Sequence, residues 1–201
     1  MNIRPLFVSI LVAGSTALYA QEAPTVKVKT DDVKSTAIQT PNISAPNIPA
    51  KPFRPRNWLE LDTTFETTKA IKPGESPYVD QLEFKYYIAL NKTDKSGKYM
   101  MLTATVIYTN IPLKDKVHAL AFVSPASLER ALEKKDFTNG DIKAVGVDIN
   151  FGGQTVGGKS TSGKFWDKLD SFNVIDGAIL PKSKTPYAPL WGDYDVDAKV
   201  Q

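Results

Sequence analysis

The sequence contains no cysteine and only one histidine, His118, in 201 residues. Without a thiol, the chain cannot form a disulfide, a cysteine-ligated zinc or iron–sulfur site, or a cysteine nucleophile. A single imidazole also excludes a multi-histidine metal site and leaves very little from which to build a catalytic triad. We therefore expect a protein that is not an enzyme and uses no cofactor or metal.

Excess charge of either sign is also absent. The 25 Lys and Arg residues against 22 Asp and Glu residues give a net charge of +3, which is too small to indicate nucleic acid or an anionic membrane as a partner. The hydrophobic fraction of 42% is typical of a soluble globular chain. This length predicts one domain with a leader or a tail.

A long apolar run occurs only at the N-terminus, where uncharged residues 6–20 follow Arg4. This arrangement predicts a secretory signal peptide over residues 1–20, cleaved after Ala20. The run is shorter than the roughly 20 apolar residues that span a bilayer, so no membrane span is expected after cleavage. The predicted location is the periplasm, the outer membrane surface or the extracellular space.

Large apolar side chains are scarce in residues 21–56, and proline recurs at positions 41, 46, 49, 52 and 55. Because proline fixes φ and lacks an amide hydrogen, this composition predicts a flexible linker over 21–56. A second interpretation is that the Pro-Asn-Ile repeats at 41–43 and 46–48 dock a partner as a polyproline-type ligand.

From residue 57 to the C-terminus, apolar side chains alternate with polar ones, the pattern of half-buried strands. Residues 82–90 and 99–111 predict an antiparallel hairpin, 117–123 a central strand, and Ser124-Pro125 the start of one helix that continues to Lys135. We therefore predict an all-β domain over 57–201 with one short helix: an immunoglobulin-like antiparallel β-sandwich of about seven strands.

One stretch, residues 153–160 with Lys159 and Ser160 at its end, matches the P-loop pattern of nucleotide-binding proteins. A P-loop needs a helix that begins at the lysine and directs its amides at the phosphates. The following Thr161-Ser162-Gly163 instead favours a Gly- and Ser-rich loop between strands. The sequence leaves open whether loop 152–163 binds anything.

Two smaller patterns have modest interpretations. Asp193, Asp195 and Asp197 alternate as in a calcium loop, but Ala198 stands where glycine is needed. A solvated acidic strand or tail is expected there, with a weak surface calcium site as the alternative. His118 lies in the apolar run 117–123 and is expected to be a hydrogen-bonded core or edge residue.

Aromatic residues supply the candidate contact site. Tyr187, Trp191 and Tyr194 cluster near the C-terminus, and Tyr87 points away from the predicted core. Rings with a polar tip suit a surface that binds a glycan or a protein. The flanking proline and aliphatic residues favour a packing interpretation instead, in which Tyr187, Leu190 and Trp191 plug one end of the sandwich.

The stretches Gly163–Leu169 and Gly177–Trp191, together with the Tyr-rich strands before them, resemble a family of small exported proteins from mucin-degrading Verrucomicrobia. The resemblance is to the Ig-like proteins encoded beside type IV pilus-like components. It implies an Ig-like sandwich outside the cytoplasm, associated with a pilus-like assembly, and no active-site residues.

Together these features predict a non-enzymatic, exported interaction module of the cell envelope, accessory to a type IV pilus-like assembly or to adhesion. The expected partners are cell-envelope or pilus-like proteins. The alternative is a small glycan-binding module that uses Tyr187, Trp191 and Tyr194.

Overall fold

β-Strands dominate the computed structural model, which describes residues 26–199 except 45, 48, 50 and 51. The predicted signal peptide, residues 1–20, lies outside these residues. The described residues form nine strands: β1 Val26–Gln39, β2 Asn57–Lys69, β3 Tyr78–Thr93, β4 Tyr99–Pro112, β5 Lys116–Val123, β6 Ile142–Phe151, β7 Gln154–Ser160, β8 Phe172–Asp176 and β9 Ile179–Pro181. One α-helix, α1 Pro125–Leu132, and three short 3₁₀ turns complete the fold.

The strands form two facing sheets. A four-stranded sheet has the order β1-β2-β5-β9, and a five-stranded sheet has the order β7-β6-β3-β4-β8. All pairs are antiparallel except β4 and β8, which run parallel. The expected all-β, Ig-like sandwich with one short helix is therefore confirmed, with more strands than the pattern suggested.

Two aromatic hydroxyls join the sheets inside the core. The Tyr108 hydroxyl donates to the carbonyl of Leu120 across the sandwich at 2.8 Å. The Tyr86 hydroxyl lies 3.3 Å from that of Tyr108, and Thr63 of the opposite sheet donates to Tyr86 at 3.4 Å. Burial raises the pKa of both tyrosines. These contacts fix the two sheets in one relative position.

The prediction of a flexible linker over 21–56 is wrong for residues 26–39, which form β1. This strand pairs with β2 from Val26↔Lys69 to Gln39↔Asn57. It lies at the edge of its sheet, where one paired side and a few inward valines are enough to hold a strand. The sandwich therefore includes residues 26–39 and does not begin at residue 57.

The proline-rich stretch connects β1 to β2, and because these two strands pair with each other, both ends of the connection are fixed to the sheet. The Thr40 amide donates to the Arg56 carbonyl at 2.9 Å, and Arg56 pairs with Glu129 of α1 at 2.8 Å. The described residues from 42 to 55 are exposed, among them Ile43 and Phe53. Docking of the Pro-Asn-Ile repeats onto a partner stays a prediction.

The central part of the sequence folds as its pattern indicates. β3 and β4 form the expected antiparallel hairpin, and β5 lies between β2 and β9. The Ser124 side chain caps α1 by accepting from the Ser127 amide at 3.1 Å. The helix ends at Leu132, earlier than Lys135, because Glu133 adopts a left-handed conformation with φ of 54°.

The chain from 172 to 181 is split between the two sheets. β8 belongs to the five-stranded sheet and β9 to the four-stranded sheet. The chain changes sheets at Gly177, whose φ of +73° suits a residue without a side chain. This crossing carries the C-terminal residues to the outer face of the four-stranded sheet. None of the helices that the described residues form is long and apolar enough to cross a membrane.

Candidate functional site

A second, smaller apolar cluster lies on the outer face of the four-stranded sheet. It forms because β5 carries Leu120 and Phe122 outward while its alternate side chains enter the core. The C-terminal segment, defined here as residues 182–198, runs across these side chains and adds Tyr187 and Leu190 to the cluster. Three of the four predicted aromatic contact residues, Tyr187, Trp191 and Tyr194, thus lie on this face.

Tyr187 fastens the C-terminal segment to the sheet. Its ring is 2% exposed and stacks on Phe122 with centroids 4.9 Å apart. Its hydroxyl donates to the Gln39 carbonyl at 2.8 Å, and burial raises its pKa to about 12. The prediction that Tyr187 is a contact residue is therefore wrong, because its ring is covered, and the plug interpretation holds for it.

Trp191 stacks on the outer side of Tyr187, with centroids 5.7 Å apart, and remains 45% exposed. Its backbone has a φ of 56°, a conformation that is rare and costly for a bulky residue. The Lys182 ammonium group donates to the Trp191 carbonyl at 3.2 Å and to Asp195 at 2.5 Å. The fold therefore holds Trp191 in a strained conformation that leaves its ring open to solvent.

Tyr194 is 46% exposed and covers His118, with ring centroids 4.3 Å apart. Its hydroxyl donates to Asp62 at 2.7 Å, and burial followed by the Asp62 carboxylate raises its pKa to about 12. The other oxygen of Asp62 lies 2.8 Å from His118 Nδ1. His118 is thus hydrogen-bonded, as the sequence predicted, and half-buried on a central strand, where it helps to position Tyr194.

A groove of about 190 Å³ lies between the two exposed rings and is lined by Trp191, Tyr194, Leu120 and Glu60. Glu60 enters it from β2, where it lies opposite Phe122 in the pairing with β5. Burial raises the pKa of Glu60, and the carboxylates of Asp62 and Asp195 add to the effect. Among the described residues the Glu60 carboxylate has no hydrogen-bond or ion-pair partner.

A second groove, of about 350 Å³, continues on the other side of Tyr194. Four carboxylates line it, from Asp115, Asp193, Asp195 and Asp197. The Asp195 side chain is 7% exposed and already pairs with Lys182. Within the described part of the chain no three potential ligands converge as a metal site would require, so the geometry does not favour the calcium alternative.

Tyr87 lies on the opposite face of the molecule, against the outer side of the five-stranded sheet. Its ring is 6% exposed because Trp166 stacks on it at 4.7 Å with the planes 4° apart. The Trp166 indole donates to Asp148 at 2.7 Å. The prediction of Tyr87 as a contact residue is wrong, because a tryptophan from a later turn covers its ring. No pattern in the sequence indicates this contact.

The stretch that matches the P-loop pattern forms β7 and not a loop. Residues 154–160 pair with β6, from Phe151↔Gln154 to Gly146↔Ser160. No helix begins at Lys159, so the amides that would bind phosphates lie along a strand. The glycine at 157 has a packing role, because a Cβ there would lie 2.7 Å from the Val28 carbonyl of the facing edge strand β1.

Sequence reasoning identified Trp191 and Tyr194 but missed Glu60 and Lys182. Glu60 alternates with buried Leu59 and Leu61, which places it on the outer face, but nothing in that pattern indicates that the C-terminal segment returns to the same face. Lys182 is 8% exposed, and burial of a lysine is rarely expected from sequence.

Comparisons with known proteins agree with this architecture. A crystal structure of a protein from Akkermansia muciniphila matches with a TM-score of 0.74 and 25% sequence identity, over 88% of this chain and 94% of that one. Its source is a member of the Verrucomicrobia, the group to which the resembled family belongs. No curated protein sequence matches the chain. A protein-family model matches residues 19–201; the chain therefore belongs to the family that this model defines.

Proposed function

We propose that this protein is an exported, non-enzymatic interaction module of the cell envelope, accessory to a type IV pilus-like assembly or to adhesion. Its partner docks at the groove between Trp191 and Tyr194. The observation that carries the proposal is the half-exposed state of these two rings, each fixed in place by a buried or half-buried polar group. Large aromatic side chains of this kind dominate the energy of protein interfaces.

The anchoring of the two rings argues for a function beyond packing. A plug needs only the buried ring of Tyr187, which already covers Phe122. Trp191 adds a strained backbone and keeps 45% of its surface in water. Strain of this kind costs of order 1–3 kcal/mol and is concentrated at functional positions.

The envelope location rests on the sequence. The apolar run of residues 6–20 predicts export, and the family resemblance implies a role beside pilus-like proteins. A chain without cysteine folds in an oxidising compartment without forming disulfides, so its composition is compatible with that location.

The test is affinity capture from an envelope extract of the source bacterium with the mature protein as bait. Captured proteins are identified by mass spectrometry for the wild type, Trp191→Ala and Tyr194→Ala. Tyr99→Ala is the matched control, because Tyr99 is a partly exposed tyrosine on the other sheet. We expect a specific envelope protein to be lost with the first two variants and kept with the control. Equal capture by all four baits would contradict the proposal.

The alternative function, glycan binding, is favoured by one feature of the same groove. Two exposed aromatic rings flank a carboxylate, and such rings stack on sugar faces while a carboxylate accepts from hydroxyl groups. A glycan array that includes mucin-type glycans tests it. Binding that disappears in Trp191→Ala supports this alternative, and absence of any bound sugar disposes of it.

A further inference from the structure

We propose that the groove between Trp191 and Tyr194 binds the lysine or arginine side chain of an extended basic segment in the partner protein. The inference rests on the proposed function and adds the chemistry of the partner. The groove is largely apolar: two aromatic rings and Leu120 line it, together with one carboxylate, Glu60.

The groove lining suits an organic cation better than a neutral or anionic group. Aromatic faces attract ammonium and guanidinium groups, most strongly where water is partly excluded. A carboxylate within the same groove adds a charge-assisted hydrogen bond. The pKa of Glu60 lies above its usual value because of burial and the neighbouring carboxylates, and a bound cation would relieve that cost.

Glu60 is the negative charge in this groove that the fold leaves uncompensated. Asp62 accepts from the Tyr194 hydroxyl and contacts His118. Asp195 pairs with Lys182.

Lys34 lies opposite Asp62 in the pairing of β1 with β2, but its ammonium group contacts Asp32 at 3.4 Å and does not pair with Glu60. The groove therefore presents a net negative charge to a ligand.

The second groove indicates an extended ligand and not a small amine. It shares Tyr194 with the first groove and is lined by carboxylates, including Asp115, Asp193 and Asp197. No lysine or arginine lines it among the described residues. A chain with a cation in each groove and Tyr194 between them matches both charge patterns, whereas a single small amine fills one groove only.

The experiment follows the indole N–H resonances of the mature protein in ¹⁵N-labelled form, where Trp191 is assigned by its loss in Trp191→Ala. The peptide probes are acetyl-Lys-Ala-Lys-amide, acetyl-Arg-Ala-Arg-amide and the uncharged acetyl-norleucine-Ala-norleucine-amide, and the small amines glucosamine and putrescine are titrated for comparison. We expect the two cationic peptides to shift the Trp191 signal with a dissociation constant in the millimolar range, about 4 kcal/mol of binding. The norleucine peptide should leave the signal unchanged.

Glu60→Gln tests the carboxylate and should weaken binding of both cationic peptides at least about tenfold, since a tenfold loss is about 1.4 kcal/mol. Its backbone spectrum away from the groove should match the wild type, which shows that the variant folds. Glu66→Gln is the matched control. Glu66 is on the outer face of the same strand, opposite Lys116, about 20 Å from Glu60 at the rise of a strand, and its change should have no effect.

Three results would overturn the inference. They are an equal shift with the norleucine peptide, tighter binding of glucosamine or putrescine than of the cationic peptides, and unchanged affinity in Glu60→Gln. If envelope capture depends on Trp191 while no cationic peptide binds, the inference fails and the proposed function stands. If the peptides bind through Glu60 while Trp191→Ala captures the same envelope proteins as the wild type, the proposed function fails instead.

Discussion

The carboxylate of Glu60 shows how a single residue weakens the fold at a binding groove. Its pKa in the folded protein is raised above the ordinary value of 4.5 by burial, Asp62 and Asp195. A raised carboxyl pKa means that the folded state binds the proton more tightly than the unfolded state. Stability from this group is therefore present below the ordinary pKa and is lost as pH rises through the folded pKa.

We predict that Glu60→Gln is more stable than the wild type at pH 7, because it removes an ionised carboxylate from beside two others. The gain should disappear below about pH 4, where Glu60 is protonated in both states. Chemical denaturation at a series of pH values measures the difference, with Glu66→Gln as the control. A variant less stable than the wild type at pH 7 would show that Glu60 supports the fold.

At Gly146 the absence of a side chain leaves the space that the Trp166 ring occupies. A Cβ at this position would lie 2.0 Å from the Trp166 ring, which lies flat between β6 and its own 3₁₀ turn and stacks on Tyr87. The ring cannot move outward without losing its hydrogen bond to Asp148.

We predict that Gly146→Ala destabilises the protein by about 1–3 kcal/mol, the usual cost of overpacking, and exposes Trp166. Thermal unfolding and the tryptophan emission maximum, which should shift to the red, report the two effects. Gly140→Ala is the control, since a Cβ there meets its nearest atom at an ordinary 3.6 Å. Equal unfolding temperatures for the two variants would mean that Trp166 relocates at no cost.

At the scale of the structural elements, the C-terminal segment contains a buried ion pair between Lys182 and Asp195. Lys182 donates both to Asp195 and to the carbonyl of Trp191. Burial raises the pKa of Asp195 even beside this lysine, so removing the lysine leaves a buried carboxylate that is costly to ionise. Breaking one partner of a buried pair is more damaging than removing both.

We predict that Lys182→Met loosens the segment and that the second substitution in Lys182→Met/Asp195→Asn restores part of the loss. Hydrogen exchange is the measurement, because the Tyr194 and Val196 amides donate to Trp191 and His118 carbonyls in this segment. Their protection should fall at least about tenfold in the single variant, which is about 1.4 kcal/mol. Unchanged protection would show that the ring contacts of Tyr187 hold the segment without the ion pair.

The same elements show what a sequence pattern can predict. β3, β4, β6 and α1 were predictable because local signals in the sequence, alternating core side chains or a capping serine, determine them. β1 was not, because an edge strand needs few inward apolar residues and Val26, Val28 and Val33 stand among charged neighbours. The five prolines from residue 41 onward made the whole stretch resemble a linker, although these five lie after the strand ends.

The candidate site was predictable only in part for a similar reason. Trp191 and Tyr194 attract notice by type alone, but exposure depends on which neighbours fold over a ring. Tyr187 and Tyr87 are covered by residues distant in sequence or by the strand beneath, and periodicity carries no information about such contacts. Glu60 joins the site only because the chain crosses between sheets at Gly177 and returns over β2 and β5.

At the scale of the whole molecule, the two sheets are held together without a disulfide bond. The sequence contains no cysteine, so stability comes from the apolar core and from the polar contacts buried within it. The chain of hydroxyls from Thr63 through Tyr86 and Tyr108 to the Leu120 carbonyl connects one sheet to the other and back again. Buried networks of this kind fix one packing arrangement when every member is satisfied.

Tyr108→Phe removes the central donor of this network, since Tyr108 is the residue that donates to the Leu120 carbonyl. We predict a loss of about 1–3 kcal/mol, because a buried carbonyl and the Tyr86 hydroxyl lose a partner, and a fall in melting temperature of about 2–4 °C for each kcal/mol. Tyr78→Phe is the control, as Tyr78 is 47% exposed. An equal melting temperature for the two variants would show that the network adds no stability.

The same two tyrosines also predict how the stability of the fold changes at alkaline pH. Burial raises the pKa of Tyr86 and Tyr108 above the ordinary value of 10.0, so the folded protein holds both phenol protons more tightly than the unfolded chain does. Stability is therefore complete below pH 10 and falls as pH rises beyond it. Denaturation midpoints measured from pH 8 to 11 should decline less steeply in Tyr108→Phe than in the wild type, because one of the two buried phenols no longer titrates. Parallel declines would mean that the hydroxyls ionise without disturbing the contact between the sheets.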